Sequence, residues 1–169
     1  MDFENLKQQI IHNAKLIRSL VEDISPEQAQ WKPDLDTWSI LEVINHLYDE
    51  ERLDFRVRLD IILHHPEKPW PPIQPQAWVT ERRYNEQELK NSLQNFMEER
   101  QTSLTWLHSL NAPNWDASVK NDIGEMHAGD MFAAWVVHDQ WHIQQLIQLC
   151  RAYTIAQVAP YDVRYAGEL

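Results

Sequence analysis

Two histidines, His138 and His142, lie four residues apart in a segment whose apolar spacing predicts an α-helix. Side chains four residues apart project from the same helix face, one turn apart, so both imidazoles can bind one metal ion. A usable site needs a third ligand. We predict that this ligand is His46, which lies much earlier in the chain on a second predicted helix. Histidines with this spacing also occur as pairs on solvated helix surfaces, so the spacing alone leaves both interpretations open.

Three histidine ligands would leave one coordination position open, which is typical of catalytic metal sites rather than closed structural ones. Asp49 and Glu50 follow His46 by three and four residues, on the same side of the predicted helix. Either acid can be a fourth ligand, a proton acceptor or the partner of an outer histidine N–H, and either can equally be a solvated helix charge. Asp139 projects about 100° away from its neighbour His138, so it is expected behind the site or at the surface. Three tryptophans are candidate walls of a pocket: Trp38, Trp135 and Trp141.

Residues 138–142 also resemble the His-Glu-x-x-His pattern of zinc peptidases, with Asp139 in place of the glutamate. The shorter side chain would withdraw the general base from the metal. No histidine follows His142, and the only later glutamate is Glu168. A peptidase is therefore disfavoured, because the general base is withdrawn and the motif has no ligand of its own after His142.

Apolar residues recur at three-to-four spacing in four long segments, which predicts an all-α fold. Helix-start signals support this: Ser39 and Glu42 form a Ser-x-x-Glu capping box, and Asn85 is the predicted N-cap of the third long helix. The fold predicted is a four-helix bundle with a long crossover connection between the second and third helices, and such bundles build sites from facing helices. The predicted helices span residues 2–24, 39–64, 85–110 and 128–153.

The segments between these helices have their own composition. Residues 66–79 contain five prolines, which predicts an ordered crossover without regular helix, while its tryptophans indicate packing on the bundle. Residues 112–127 are rich in turn-forming types and predict a loop or a short hairpin. Residues 154–169 are too aromatic for a disordered tail, so we expect an extended segment packed on the bundle or on a partner subunit.

Composition narrows the possible functions. The net charge of −11 and pI of about 5.1 disfavour binding to nucleic acid and to anionic membranes, because both partners carry negative charge. Cys150 is the only cysteine, which excludes an intrachain disulfide. No signal-peptide pattern and no long apolar run are present, which predicts a cytoplasmic protein. The length of 169 residues favours one domain spanning residues 1–169.

Three segments together resemble the DinB-like (YfiT-like) family. Residues 37–47, with the sequence TWSILEVINHL, are similar to the start of the second helix in that family. Residues 138–145, HDQWHIQQ, are similar to its last-helix motif, and residues 161–169 are similar to its closing tail. The three motifs occur in the family order over nearly the whole chain.

This resemblance implies a single four-helix bundle, a homodimer, and a divalent metal ion held by His46, His138 and His142, with zinc or nickel favoured. It implies neither polymerase activity nor DNA binding, in agreement with the acidic charge. Some members transfer low-molecular-weight thiols such as bacillithiol or mycothiol, so the expected function is a thiol S-transfer or related metal-activated nucleophile chemistry on a small molecule. The alternative is a non-catalytic metal-binding stress-response or interaction module. A third interpretation is a metal-free helical dimer with polar core histidines.

Overall fold

The structure, a computed structural model, describes residues 2–121 and 124–167. It confirms the predicted four-helix bundle with a long crossover between the second and third long helices. The elements in chain order are α1 (Phe3–Val21), α2 (Pro26–Gln30), α3 (Ile40–Glu50), a π-helical segment (Glu51–Phe55), α4 (Arg56–His64), α5 (Pro75–Glu81), a 3-10 turn (Tyr84–Glu86), α6 (Leu89–Ser109), β1 (Ser118–Asn121), β2 (Gly124–His127), α7 (Ala128–Val158) and a last 3-10 turn (Arg164–Ala166). The second long helix is α3, the π-helical segment and α4 together. β1 and β2 pair antiparallel as a short hairpin, one of the two alternatives predicted for that region.

Helix starts follow the predicted caps in one case and depart from them in another. Ser39 accepts from the backbone N–H of Glu42, and the Glu42 carboxylate accepts from the backbone N–H of Ser39, so the predicted capping box is confirmed. The prediction that Asn85 caps the third long helix is wrong, because α6 begins at Leu89. The Asn85 side chain instead accepts from Ser39 Oγ at 2.6 Å. It therefore ties the end of the crossover to the start of α3.

The π-helical segment changes which residues of the second long helix face the core. The sequence pattern predicts an apolar stripe through Leu53, Val57 and Ile61. Ile61 is buried, but Leu53 and Val57 are only partly buried. Phe55 and Leu59 are buried instead. A π-turn adds one residue to the turn and so rotates everything beyond it around the helix axis. This rotation brings Phe55 towards the interior beside the candidate site.

The proline-rich crossover contains a helix that the sequence pattern had excluded. α5 starts at Pro75. Proline suits the first helical position, because a backbone N–H there makes no intrahelical hydrogen bond and the φ fixed by the proline ring matches that of a helix. Trp78 in α5 is buried, and the guanidinium of Arg58 lies 4.6 Å from the ring centre of Trp70. The crossover therefore packs on the bundle, as predicted.

The C-terminal region also departs from the prediction. α7 continues to Val158, beyond the predicted end near residue 153. Tyr161 and Tyr165 in the following tail are exposed, so the tail does not pack on the bundle, and packing on a partner subunit stays a prediction. Residues 122 and 123 of the predicted hairpin and residues 168 and 169 of the tail lie outside the described residues. No helix among those described is long and apolar enough to cross a membrane.

The core is divided into two apolar clusters with buried polar residues between them. One cluster includes Ile10, Phe55 and Leu104, and the other includes Ala14, Leu47, Phe96 and Leu146. Between them, each long helix contributes one buried polar side chain. We call these four residues the polar layer: Asn13, Glu51, Arg100 and Asp139.

Candidate metal centre

The structure brings together the three histidines singled out from the sequence. His46 on α3 faces His138 and His142 on α7, and one ring nitrogen of each lies within 4.8 Å of the others. The Nε2 atom of His138 lies 3.3 Å from that of His46 and 3.2 Å from that of His142. His138 is thus the central member of the group. Their binding of a metal ion remains a prediction.

The arrangement suits a metal ion better than hydrogen bonding among the rings. Ligand nitrogens at about 2.0–2.1 Å from a tetrahedral zinc ion lie about 3.3–3.4 Å apart, which is close to the two Nε2 separations observed. Three neutral imidazoles facing one point cannot all donate to and accept from each other, because each ring has one N–H. No carboxylate oxygen joins the group in the described part of the chain. The residues therefore fit a three-histidine site with an open coordination position.

The outer ring nitrogens of two histidines face acceptors. His142 Nδ1 lies 2.8 Å from Gln145 Oε1, and because that oxygen only accepts, Nδ1 carries the proton. His46 Nδ1 lies 4.0 Å from Oε1 of Glu50. The proton on His142 Nδ1 leaves the Nε2 lone pair of that ring free to bind a cation, as is usual around metal-ligating histidines. His46 Nδ1 and Glu50 Oε1 are both buried, and neither makes a hydrogen bond within the described part of the chain.

Aromatic rings enclose the histidines from two sides. The ring of Trp38 stacks parallel to that of His142 with centroids 6.4 Å apart, and lies 4.8 Å from that of His46. The ring of Phe55 lies 4.9 Å from that of His138. These contacts hold the imidazoles in place and limit their access to water.

Burial keeps the imidazoles in the neutral form that a metal requires. Desolvation lowers the pKa of His46 to about 2, with smaller contributions from the other two histidines. Desolvation also lowers the pKa of His138 to about 3, with smaller contributions from His142 and Arg100. Burial also lowers the pKa of His142. At neutral pH, metal binding would therefore displace no proton from these rings.

The two acids that follow His46 have separate partners. Asp49 is buried and forms ion pairs with Arg52 and Arg82 and accepts from the Tyr84 hydroxyl, so it belongs to a neighbouring network. Glu50 is also buried, behind His46. The prediction left open whether they are solvated charges, and neither is. Of the two, Glu50 is the one positioned as the outer partner of a histidine.

Glu50 shares its environment with a second acid. Burial and hydrogen bonding to Asp54 raise the pKa of Glu50 to about 8. Burial also raises the pKa of Asp54, although Glu50 and Arg58 oppose that shift. Arg58 Nε lies 2.6 Å from Asp54 Oδ1. In the metal-free protein at neutral pH, Glu50 therefore holds a proton that it donates towards Asp54.

Replacing Glu50 with Gln is expected to stabilise the metal-free protein increasingly as the pH rises from about 5 to 8. A raised pKa means that the folded state binds more protons than the unfolded state between pH 4.5 and about 8, so the native protein loses stability across this window. A glutamine at this position does not titrate, so it adds no pH dependence to the free energy of unfolding. Its amide can donate to Asp54 as the protonated acid does. Urea unfolding of chelator-treated protein should show a gain of about 1–3 kcal/mol at pH 8. The exposed Glu98→Gln variant is the control, and equal pH profiles for native protein and Glu50→Gln would contradict the prediction.

The other residues singled out from the sequence take different places. Asp139 is buried and ion-paired with Arg100, behind the histidines rather than at the surface. Trp135 is buried and donates to Glu51 at 2.9 Å, so it supports the core rather than a pocket. Trp141 is 67% exposed and points away from the interior. Of the three tryptophans proposed as walls, only Trp38 borders the histidines.

Several residues at or behind the site gave weak signals in the sequence. Gln145 lies seven residues after His138, on the same helix face, so helical spacing could have identified it. Phe55 had no such signal, because its orientation depends on the π-helical segment. Arg100 is a lone arginine in a polar stretch, and only the folded structure shows that it is buried.

Comparison with known proteins agrees with this architecture. Residues 9–146 match the DinB superfamily. A solved structure, YfiT from Bacillus subtilis, is similar with a TM-score of 0.78 and 16% sequence identity, over 89% of this chain and 87% of that one. That protein is described as a probable metal-dependent hydrolase with an unusual four-helix bundle topology. No curated protein sequence matches significantly. Because the match extends over most of the chain, this protein belongs to the DinB superfamily.

Proposed function

We propose that this protein is a metal-dependent enzyme that activates a water or thiol nucleophile against a small-molecule substrate. The observation that carries the proposal is the convergence of His46, His138 and His142 with no carboxylate in the group among the described residues. Three neutral ligands with a fourth position open are characteristic of catalytic rather than structural sites. Zinc and nickel both suit such a ligand set.

The residues around the centre would bind and orient rather than react. His46, His138 and His142 would hold the cation, while Gln145 and Glu50 face the outer nitrogens of two of them. A divalent cation in such a site lowers the pKa of a water or a thiol and so supplies a nucleophile at neutral pH. The ring of Trp38 covers one side of the centre and can pack against an apolar part of a substrate.

Water and a thiol are each supported as the nucleophile by a different observation. The description of YfiT as a probable metal-dependent hydrolase supports water as the nucleophile. The resemblance of the helix motifs to family members that use low-molecular-weight thiols supports a thiol. Both use the same centre, so a single experiment can separate them.

The test uses full-length protein purified without a histidine tag and loaded with zinc or nickel or treated with a chelator. One arm measures hydrolysis of a panel of aryl esters, amides and phosphate esters. The other measures transfer of cysteine, glutathione and bacillithiol to chlorodinitrobenzene. We expect turnover in one arm that is at least about tenfold faster with metal, the contribution of an activated nucleophile.

Two results would contradict this proposal. Equal rates with and without metal in both arms would exclude a metal-dependent reaction on these substrates. A metal-induced rise in melting temperature without turnover in either arm would instead favour the non-catalytic metal-binding module, because a ligand that binds only the folded state stabilises it.

A further inference from the structure

The polar layer joins all four long helices at one level of the bundle. Arg100 on α6 forms ion pairs with Glu51 of the π-helical segment and with Asp139 of α7. Asn13 of α1 donates to Asp139 at 3.4 Å and to the carbonyl of Val136 at 3.3 Å. All four side chains are buried.

The guanidinium of Arg100 uses every N–H that it has. Nε donates to Glu51 Oε1 at 2.7 Å, and Nη2 donates to Glu51 Oε2 at 2.8 Å and to Asp139 Oδ1 at 2.9 Å. Nη1 donates to Asp139 Oδ2 at 2.8 Å and to the carbonyl oxygen of Ile10 at 3.1 Å. Because a guanidinium is planar and rigid, these five bonds fix three other helices relative to α6.

The two carboxylates lie next to the histidines along the chain. Asp139 directly follows His138, and Glu51 follows His46 by five residues. Glu51 also accepts from Trp135 Nε1, and the ring of Phe55 packs between those of Trp135 and His138. A shift of either helix along its axis would therefore break bonds to Arg100 and separate the Nε2 atoms.

Stability alone does not require charges in this position. Buried ion pairs are costly to desolvate, and well-packed apolar residues of similar volume are often at least as stable. Buried polar groups can instead specify one register among several that an apolar core would tolerate.

We propose that Arg100 is a positioning residue for the three-histidine centre, which it maintains by fixing the axial register between the two helices that carry the histidines. This inference rests on the metal centre of the proposed function, although not on any reaction there. Arg100 itself contacts none of the three histidines through a hydrogen bond in the described residues. Its influence on their positions passes through Asp139, Glu51 and the rings of Trp135 and Phe55.

The test compares metal binding with stability in full-length Arg100→Met, which keeps an unbranched side chain, although a shorter one, and removes the charge and the donors. Zinc affinity is measured by competition with a chromogenic chelator, the visible spectrum of bound cobalt reports the ligand geometry, and urea unfolding of metal-free protein reports stability. We expect Arg100→Met to bind zinc about 10–100-fold more weakly and to change the cobalt spectrum. Ile17→Ala, a buried change in one apolar cluster, should lower stability while keeping native affinity and spectrum.

Native zinc affinity and an unchanged cobalt spectrum in Arg100→Met would overturn the inference. If that variant does not fold, Arg100→Lys decides, because it keeps the charge but has three donors that cannot reproduce the planar five-bond pattern. It should bind zinc at least about threefold more weakly than native protein, and native affinity would overturn the inference. Native protein that binds zinc without turnover contradicts the proposed function alone. Native protein that binds no zinc contradicts both.

Discussion

Replacing His138 with Ala is expected to remove the bound divalent metal almost completely. His138 is the central ring, with its Nε2 within 3.3 Å of both other Nε2 atoms, so its loss leaves two ligands on different helices. Two imidazoles do not form a usable site, and loss of one of three ligands should weaken binding by at least about 10²-fold, beyond the effect of an outer partner. Elemental analysis of untagged protein should show about one metal per native chain and less than about a tenth in the variant.

The control separates loss of a ligand from loss of a histidine. His12 lies exposed on α1, outside the group, so His12→Ala should keep the native metal content. His46→Ala and His142→Ala should behave like His138→Ala. Full metal occupancy in His138→Ala would mean that the ion binds elsewhere, and both the site and the proposed function would then be wrong.

The sequence identified the three histidines because helical periodicity is a strong local signal. His138 and His142 share a helix face for geometric reasons alone, and the capping box at Ser39 sets the start of the helix that carries His46. Once both segments are helices of one bundle, buried histidines among apolar neighbours need polar partners, and histidines on facing helices lie within reach of each other. The convergence observed agrees with those constraints, although the spacing alone also allows histidine pairs on a solvated helix surface.

The surroundings of the histidines depend on contacts that helical periodicity does not encode. The π-helical segment has no glycine or proline to mark it, so the sequence predicts a regular stripe through Leu53 and Val57. The partner of Arg100 on α7 is 39 residues away in sequence, and Asn13 is 126 residues from Asp139. A buried network of this kind is recognised only when the helices are assembled, because each member by itself resembles a surface residue.

Replacing Glu51 with Ala is expected to lower the free energy of unfolding of the metal-free protein by about 3–5 kcal/mol, the usual cost of breaking a buried ion pair. The change removes the two carboxylate oxygens that accept hydrogen bonds from Nε and Nη2 of Arg100. It also leaves the N–H of Trp135 without its acceptor in a fully buried position. A buried donor left without a partner is costly because water cannot replace the lost bond. Urea unfolding at pH 7 with a chelator present measures the difference.

The matched control is Glu99→Ala, because Glu99 lies on α6 and pairs with Arg56 of the second long helix, so it joins the same two helices. Both side chains of that pair are 19% exposed, against 1–2% for Arg100 and Glu51. Solvent can therefore replace part of what is lost, and we expect a change of no more than about 1 kcal/mol. Similar losses in the two variants would mean that burial does not set the strength of these ion pairs. The polar layer would then be an ordinary set of interhelical contacts, with no special part in holding the four helices in register.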